Sequence, residues 1–151
     1  MLLAILMVET ACSGSSGIGA SERYAVTLVP VAAYLNINII VGNQTITATM
    51  EDNGAARDFL SRLPLEVTLE DYNSGTEKVF YPAPELNLDD TPRGCAPQAG
   101  DITIYEPWGN VAIFCRDWPE SNSLIKIGHI DGNGINLLQG TESMNVRFER
   151  Q

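Results

Sequence analysis

From Tyr34 to Arg150 the chain alternates apolar and polar residues, and a chain with that period folds as sheet. Leu35, Ile37, Ile39 and Val41 share one side of a strand, with Asn36 and Asn38 opposite. Gly42-Asn43-Gln44 supplies a turn. Ile46, Ala48 and Met50 then alternate with Thr45, Thr47 and Thr49, so a β-hairpin with one buried face is expected. The period changes once. Asp52 and Asn53 suit a helix N-cap, and Ala56, Phe59, Leu60 and Leu63 recur at helical spacing, while Arg57, Asp58, Ser61 and Arg62 face away. Pro64 ends this short helix. Alternation resumes with Leu65, Val67 and Leu69 inward, and Asn73-Ser74-Gly75 turns the chain into a return strand from Glu77 to Tyr81.

Residues 82–100 break the pattern. Pro82, Pro84, Pro92 and Pro97 exclude a central strand, and a loop of this length is either a working element or a plain surface crossover. A second hairpin runs from Asp101 to Glu106 and from Val111 to Arg116, across Pro107-Trp108-Gly109-Asn110. A strand from Leu124 to Ile130, a helical turn from Ile135 to Gln139 closed by Gly140, and a last strand from Ser143 to Arg150 complete the chain. A count of about seven or eight strands with one clear helix favours closure, because closing a sheet removes its edges. The expected fold is mostly β: a closed barrel capped by the short helix, over residues 34–151. At 151 residues and 44% apolar composition the chain can build one such core.

The first third reads differently. Met1 to Val8 is an apolar run too short to cross a bilayer, and Cys12 follows it, with Ser and Gly after. An apolar run, small residues and a Cys resemble a bacterial lipoprotein signal, so residues 1–12 are expected to direct export, with Cys12 carrying the lipid. No Lys or Arg precedes the run, and Glu9 departs from the usual pattern. Another exported form and a plain cytoplasmic tail are the alternatives. Residues 13–33, rich in Ser, Gly and Ala, read as a flexible linker in which Tyr24 to Val29 adds an extended segment. The net charge of −10, with nine scattered Lys and Arg, argues against nucleic acid as a partner and against direct binding to an anionic membrane. Membrane contact is expected only through the lipid anchor, in the bacterial cell envelope.

The stretch Gly100-Asp101-Ile102-Thr103-Ile104-Tyr105-Glu106-Pro107-Trp108-Gly109-Asn110-Val111-Ala112-Ile113-Phe114 is the most distinctive part of the chain. With Leu124-Ile125-Lys126-Ile127-Gly128 and Leu69-Glu70-Asp71-Tyr72, it resembles the cyclophilin-like proteins, a family of small bacterial proteins. The resemblance spans nearly all of residues 35–151. It implies a closed β-barrel with a helix over one end, and no settled activity. True cyclophilins isomerise prolyl bonds with an Arg, a Gln, an apolar pocket and a His. Gln98, three residues before Asp101, resembles the Gln of that set. The strand that would supply the Arg reads Glu77-Lys78-Val79-Phe80, so the electrostatic contribution of an Arg is missing.

Gln98, Tyr72, Phe80, Tyr105, Trp108 and Phe114 are the candidate groove residues, with Trp118 close by in sequence. They line a site for a peptide or small molecule, or they are edges of the core. His129 continues the Ile125 and Ile127 side of its strand and reads as a half-buried sheet histidine. Asp131-Gly132-Asn133-Gly134 opens like a calcium loop, but Ile135 and Asn136 stand where a ligand and a Gly are needed, so a turn is expected. No metal site and no cofactor follow from these residues. Cys95 and Cys115 are either a disulfide pinning the long loop or two free thiols. The reading that results is an exported, lipid-anchored module binding an unknown peptide or small molecule. A weak peptidyl-prolyl isomerase is the alternative, and an interaction protein without a small ligand a third. Oligomeric state is open.

Overall fold

The computed structural model describes Ala4–Val8, Tyr24–Leu28 and residues 35–151. The lipidation expected at Cys12, and the linker on either side of Tyr24–Leu28, lie outside the described residues. The chain divides into residues 1–34 and residues 35–151. In the first unit Ala4–Val8 (β1) and Tyr24–Leu28 (β2) pair antiparallel, with Ala4 opposite Leu28.

The second unit is the barrel. Its strands are Asn36–Val41 (β3), Gln44–Met50 (β4), Leu65–Tyr72 (β5), Glu77–Phe80 (β6), Asp101–Tyr105 (β7), Asn110–Phe114 (β8), Leu124–Ile130 (β9) and Met144–Arg150 (β10). They close in the order β10-β3-β4-β9-β7-β8-β6-β5, and β5 returns to β10. Alternation sends one face of each strand inward: Ile37 and Ile39, Ala48 and Met50, Ile102 and Ile104, Val111 and Ile113, Ile125 and Ile127, Val146 and Phe148 are all buried. Full burial of each large aliphatic side chain stabilises by roughly 1.5–3 kcal/mol before the entropy of ordering is counted.

The helix Gly54–Ser61 (α1) buries Ala55, Ala56, Phe59 and Leu60 in the barrel core. Asn53 is its cap: Oδ1 accepts the Ala56 N–H at 2.9 Å, while Nδ2 donates to the Lys126 carbonyl at 3.1 Å. One side chain therefore starts the helix and ties it to β9. Phe59 meets Phe148 edge-on at 5.3 Å between centroids and lies 6.5 Å from Phe80. The helix closes one mouth of the barrel by this aromatic contact. A Cβ on Gly54 would stand 1.9 Å from the Asp89 carbonyl oxygen, so the long loop can rest on the helix start only at a glycine.

The loop over residues 81–100 is packed down. Its Asn87 N–H donates to Asp58 Oδ2 at 2.8 Å, and Arg62, which caps the helix C-terminus, donates to the Pro84 and Glu85 carbonyls. Further on it pairs with residues 115–123: Cys95 and Ser121 exchange backbone hydrogen bonds, and the Trp118 N–H donates to the Pro97 carbonyl at 2.9 Å. These two segments form a partial outer layer over Val79, Ala112, Phe114 and Leu124.

Cys95 and Cys115 are free thiols, so the disulfide alternative is corrected. The reason is the pleat. Phe114 faces outward, and Cys115 after it faces the core, its thiol 3.8 Å from the Leu138 carbonyl. Cys95 packs against the outer cluster, on the other side of the sheet. The same parity places a charge inside. Lys78 shares the inward face with Phe80 and is wholly buried, its Nζ on Asp71 Oδ1 at 3.0 Å and on the Gly140 carbonyl.

Candidate functional site

Two rows of cross-strand neighbours build a site on the outside of the barrel. Tyr72 of β5 stands opposite Glu77 of β6, which stands opposite Phe114 of β8. Asn110 of β8 stands opposite Tyr105 of β7, which stands opposite Leu124 of β9. Asn110, Ala112 and Phe114 alternate along β8 and share the outer face. The turn after β7 presents Trp108: Gly109 takes φ +65°, and its N–H donates to the Tyr105 carbonyl at 2.9 Å. The segment 115–123 adds Trp118 and Ser121 on the far side.

Together they enclose a cavity of about 310 Å³. Trp108 stands edge-on to Tyr105 at 5.2 Å and to Tyr72 at 5.6 Å, both at 89°. Trp108 is thus at a right angle to each tyrosine ring. Trp108 is 47% exposed, Tyr72 44% and Trp118 39%, high values for large aromatics. Two polar groups complete the lining. Asn110 is 2% exposed, and its Oδ1 has no hydrogen-bond partner among the described residues. Burial pushes the Glu77 carboxyl above the ordinary glutamate range, and no cation or donor among the described residues offsets it. Among the described residues no Lys, Arg or His lines the cavity.

Four of the expected groove residues, Tyr72, Tyr105, Trp108 and Phe114, come together here, and Trp118 joins them. Two do not. Phe80 points inward and packs with Phe59 and Phe148, because its parity is opposite to that of Glu77. Gln98 is exposed in a tight turn: its N–H donates to Asp101 Oδ2 and its carbonyl accepts the Asp101 N–H, both at 2.9 Å. Sequence reasoning missed Glu77 and Asn110. The pairing of Asn110 with Tyr105 across the hairpin turn was the available signal; Glu77 needed the register of three strands.

His129 is half-exposed, with Nδ1 2.7 Å from Asp101 Oδ1, and the Lys126 ammonium lies 3.4 Å from the same oxygen. Asp101 is buried, and these partners with Gln98 satisfy its charge. No hydroxyl or thiol hydrogen-bonds the His129 ring among the described residues, so the cluster holds no nucleophile–base pair. Asp131 accepts from the Thr47 and Thr49 hydroxyls at 2.7 and 2.8 Å, which occupies its carboxylate in the turn.

A larger groove of about 510 Å³ lies over β3, β5 and β10. Its polar groups already satisfy one another: Arg147 pairs with Glu66 at 2.9 Å and with Glu149, and the Thr68 hydroxyl donates to Asn145. The aromatic cavity, with unpaired acceptors, is the better candidate despite its smaller volume. What it can do chemically is enclose an apolar or cationic group and accept hydrogen bonds from it.

A sequence model of the cyclophilin-like family matches residues 39–149. No curated protein matches the chain in sequence. Among solved structures, a hypothetical protein from Archaeoglobus fulgidus, determined in solution, superposes with a TM-score of 0.58 at 15% identity, covering 82% of this chain and 100% of that one. At that identity the likeness speaks to the fold.

Proposed function

The chain belongs to the cyclophilin-like family, and from that premise we propose that it is a binding module whose aromatic cavity holds a small ligand or a peptide side chain. The observation that carries this reading is the buried, unpaired Asn110 Oδ1 in the wall of a cavity lined with exposed aromatics. An unsatisfied buried acceptor costs about 1–3 kcal/mol, and a ligand donor removes that cost. Binding is favoured over prolyl isomerisation by the strand where the family likeness would seek an arginine. It presents Glu77 to the cavity and turns Lys78 into the barrel. The proposal includes export and a lipid tether at Cys12, supported by the apolar run from Met1 to Val8 and the small residues around that Cys.

The test is chemical-shift mapping with mixtures of small fragments and proline-containing tetrapeptides. Shifts concentrated at Tyr72, Trp108, Asn110 and Trp118 support the reading. Shifts confined to the groove over β3, β5 and β10, or none with either mixture, refute it. In a protease-coupled assay, acceleration of prolyl isomerisation that is lost in Trp108→Ala would replace binding by catalysis.

A further inference from the structure

The cavity carries information about the class of its ligand. Three features have to be satisfied together. The first is the aromatic lining. Tyr72 and Tyr105 each stand perpendicular to Trp108, at 89°, and Trp118 shares the lining with them. Aromatic rings attract a group that is positively charged. The second is Glu77, a half-buried carboxylate whose only perturbation is its burial. Among the described residues no cation lines the cavity to meet it. The third is the Asn110 Oδ1, buried and without a donor.

Each ligand class can be set against these features. An anion meets a carboxylate and an amide oxygen and is repelled by both, within a chain of net charge −10. A neutral apolar group fills the cavity but leaves Glu77 desolvated and Asn110 unpaired. A quaternary ammonium satisfies the rings and Glu77 and leaves Asn110 without a donor. An ammonium that keeps one N–H satisfies all three.

We infer that the cavity binds an organic ammonium ion bearing at least one N–H, with its charge against the rings and Glu77 and its N–H donated to Asn110. The inference rests on the binding reading above and names the ligand class for the same site.

Three probes of nearly one shape test it on the intact protein, each as its O-methyl ether so that no hydroxyl donates to Asn110: protonated dimethylethanolamine, choline, and the neutral carbon isostere of choline in which a tert-butyl group replaces trimethylammonium. Affinities are read from the indole N–H shifts of Trp108 and Trp118. Dimethylethanolammonium is expected to bind most tightly and choline next. The neutral isostere should be weaker than choline by about tenfold, the scale of a partly desolvated cation–π contact. Glu77→Gln should weaken both cations and leave the neutral probe unchanged. Asn110→Leu should abolish the preference for dimethylethanolammonium over choline. If the neutral isostere binds as well as the two cations, the pocket reading stands and the ammonium inference falls. If no probe moves either indole, the ammonium inference also falls, and the fragment and tetrapeptide mixtures decide the pocket separately. The comparison among probes on the unmodified protein is independent of whether the variants fold.

Discussion

Tyr105 and Asn110 are opposite residues of the β7–β8 hairpin, so one cross-strand pair gives the cavity both a ring and a buried amide. The amide oxygen is unpaired among the described residues. Asn110→Leu, close in volume, removes the polar group without opening a hole. The free protein should become more stable by about 1 kcal/mol, or roughly 4 °C in melting temperature. Thermal denaturation by circular dichroism measures it. A marked fall in melting temperature would show that the amide serves the fold instead of a ligand.

Lys78 and Asp71 form the opposite kind of pair, a charge held inside the barrel with its partner at 3.0 Å. Lys78→Met leaves Asp71 without its cation and should cost about 3 kcal/mol in urea denaturation. Adding Asp71→Asn to that variant should recover part of the loss, since the stranded carboxylate is then gone. Equal losses in the single and double variants would show that the charge pairing contributes little.

Acid should act on two carboxyls with opposite signs. Burial alone would raise the Asp58 carboxyl, but the Asn87 N–H and the Arg62 guanidinium outweigh it and hold it below the ordinary aspartate range. The unfolded chain then binds the proton more tightly than the fold. The stability from Asp58 is present above the unfolded value of about 3.9 and is lost as pH falls through that value and the folded one. Glu77 is raised by burial, so its penalty appears as pH rises through the ordinary glutamate range to its folded value. Asp58→Asn should flatten the acid limb of urea midpoints measured from about pH 3 to 7, and Glu77→Gln should raise the midpoints at the neutral end. An acid limb unchanged by Asp58→Asn would contradict the first assignment.

The thiols report on the pleat. Burial pushes both Cys95 and Cys115 up from the ordinary thiol range, which keeps them protonated and slow to react. Alkylation followed by peptide mass spectrometry should label the half-buried Cys95 slowly, and Cys115 only on unfolding. Failure of both peptides to alkylate in denaturant without reductant would restore the disulfide.

The barrel was legible because period two is a local property. Ile37 and Ile39, or Ala48 and Met50, announce their common face within one strand, and Phe59 and Leu60 announce the helix by spacing alone. The site was half legible. Tyr105, Trp108 and Phe114 lie along one hairpin, where parity and the turn bring them together. Glu77 reaches the cavity through its pairing with Tyr72 on one side and Phe114 on the other, and no single strand displays that register. Phe80 was misplaced for a related reason: it looks like Tyr72 in chemistry, but its parity follows Lys78, and only the pairing of β6 with β8 settles which face that is. Gln98 carried a family likeness into a turn where its backbone, rather than its side chain, is used.

The central claim is that ligands enter the aromatic cavity on the outer face. The chain has two tryptophans, Trp108 and Trp118, and both line it. The most direct measurement is therefore fluorine NMR of protein labelled with fluorinated tryptophan, its two lines assigned by Trp118→Phe. The account predicts that any small ligand that raises the melting temperature also shifts both lines, saturating at the same concentration. A ligand that stabilises the protein while leaving both lines unmoved would contradict it.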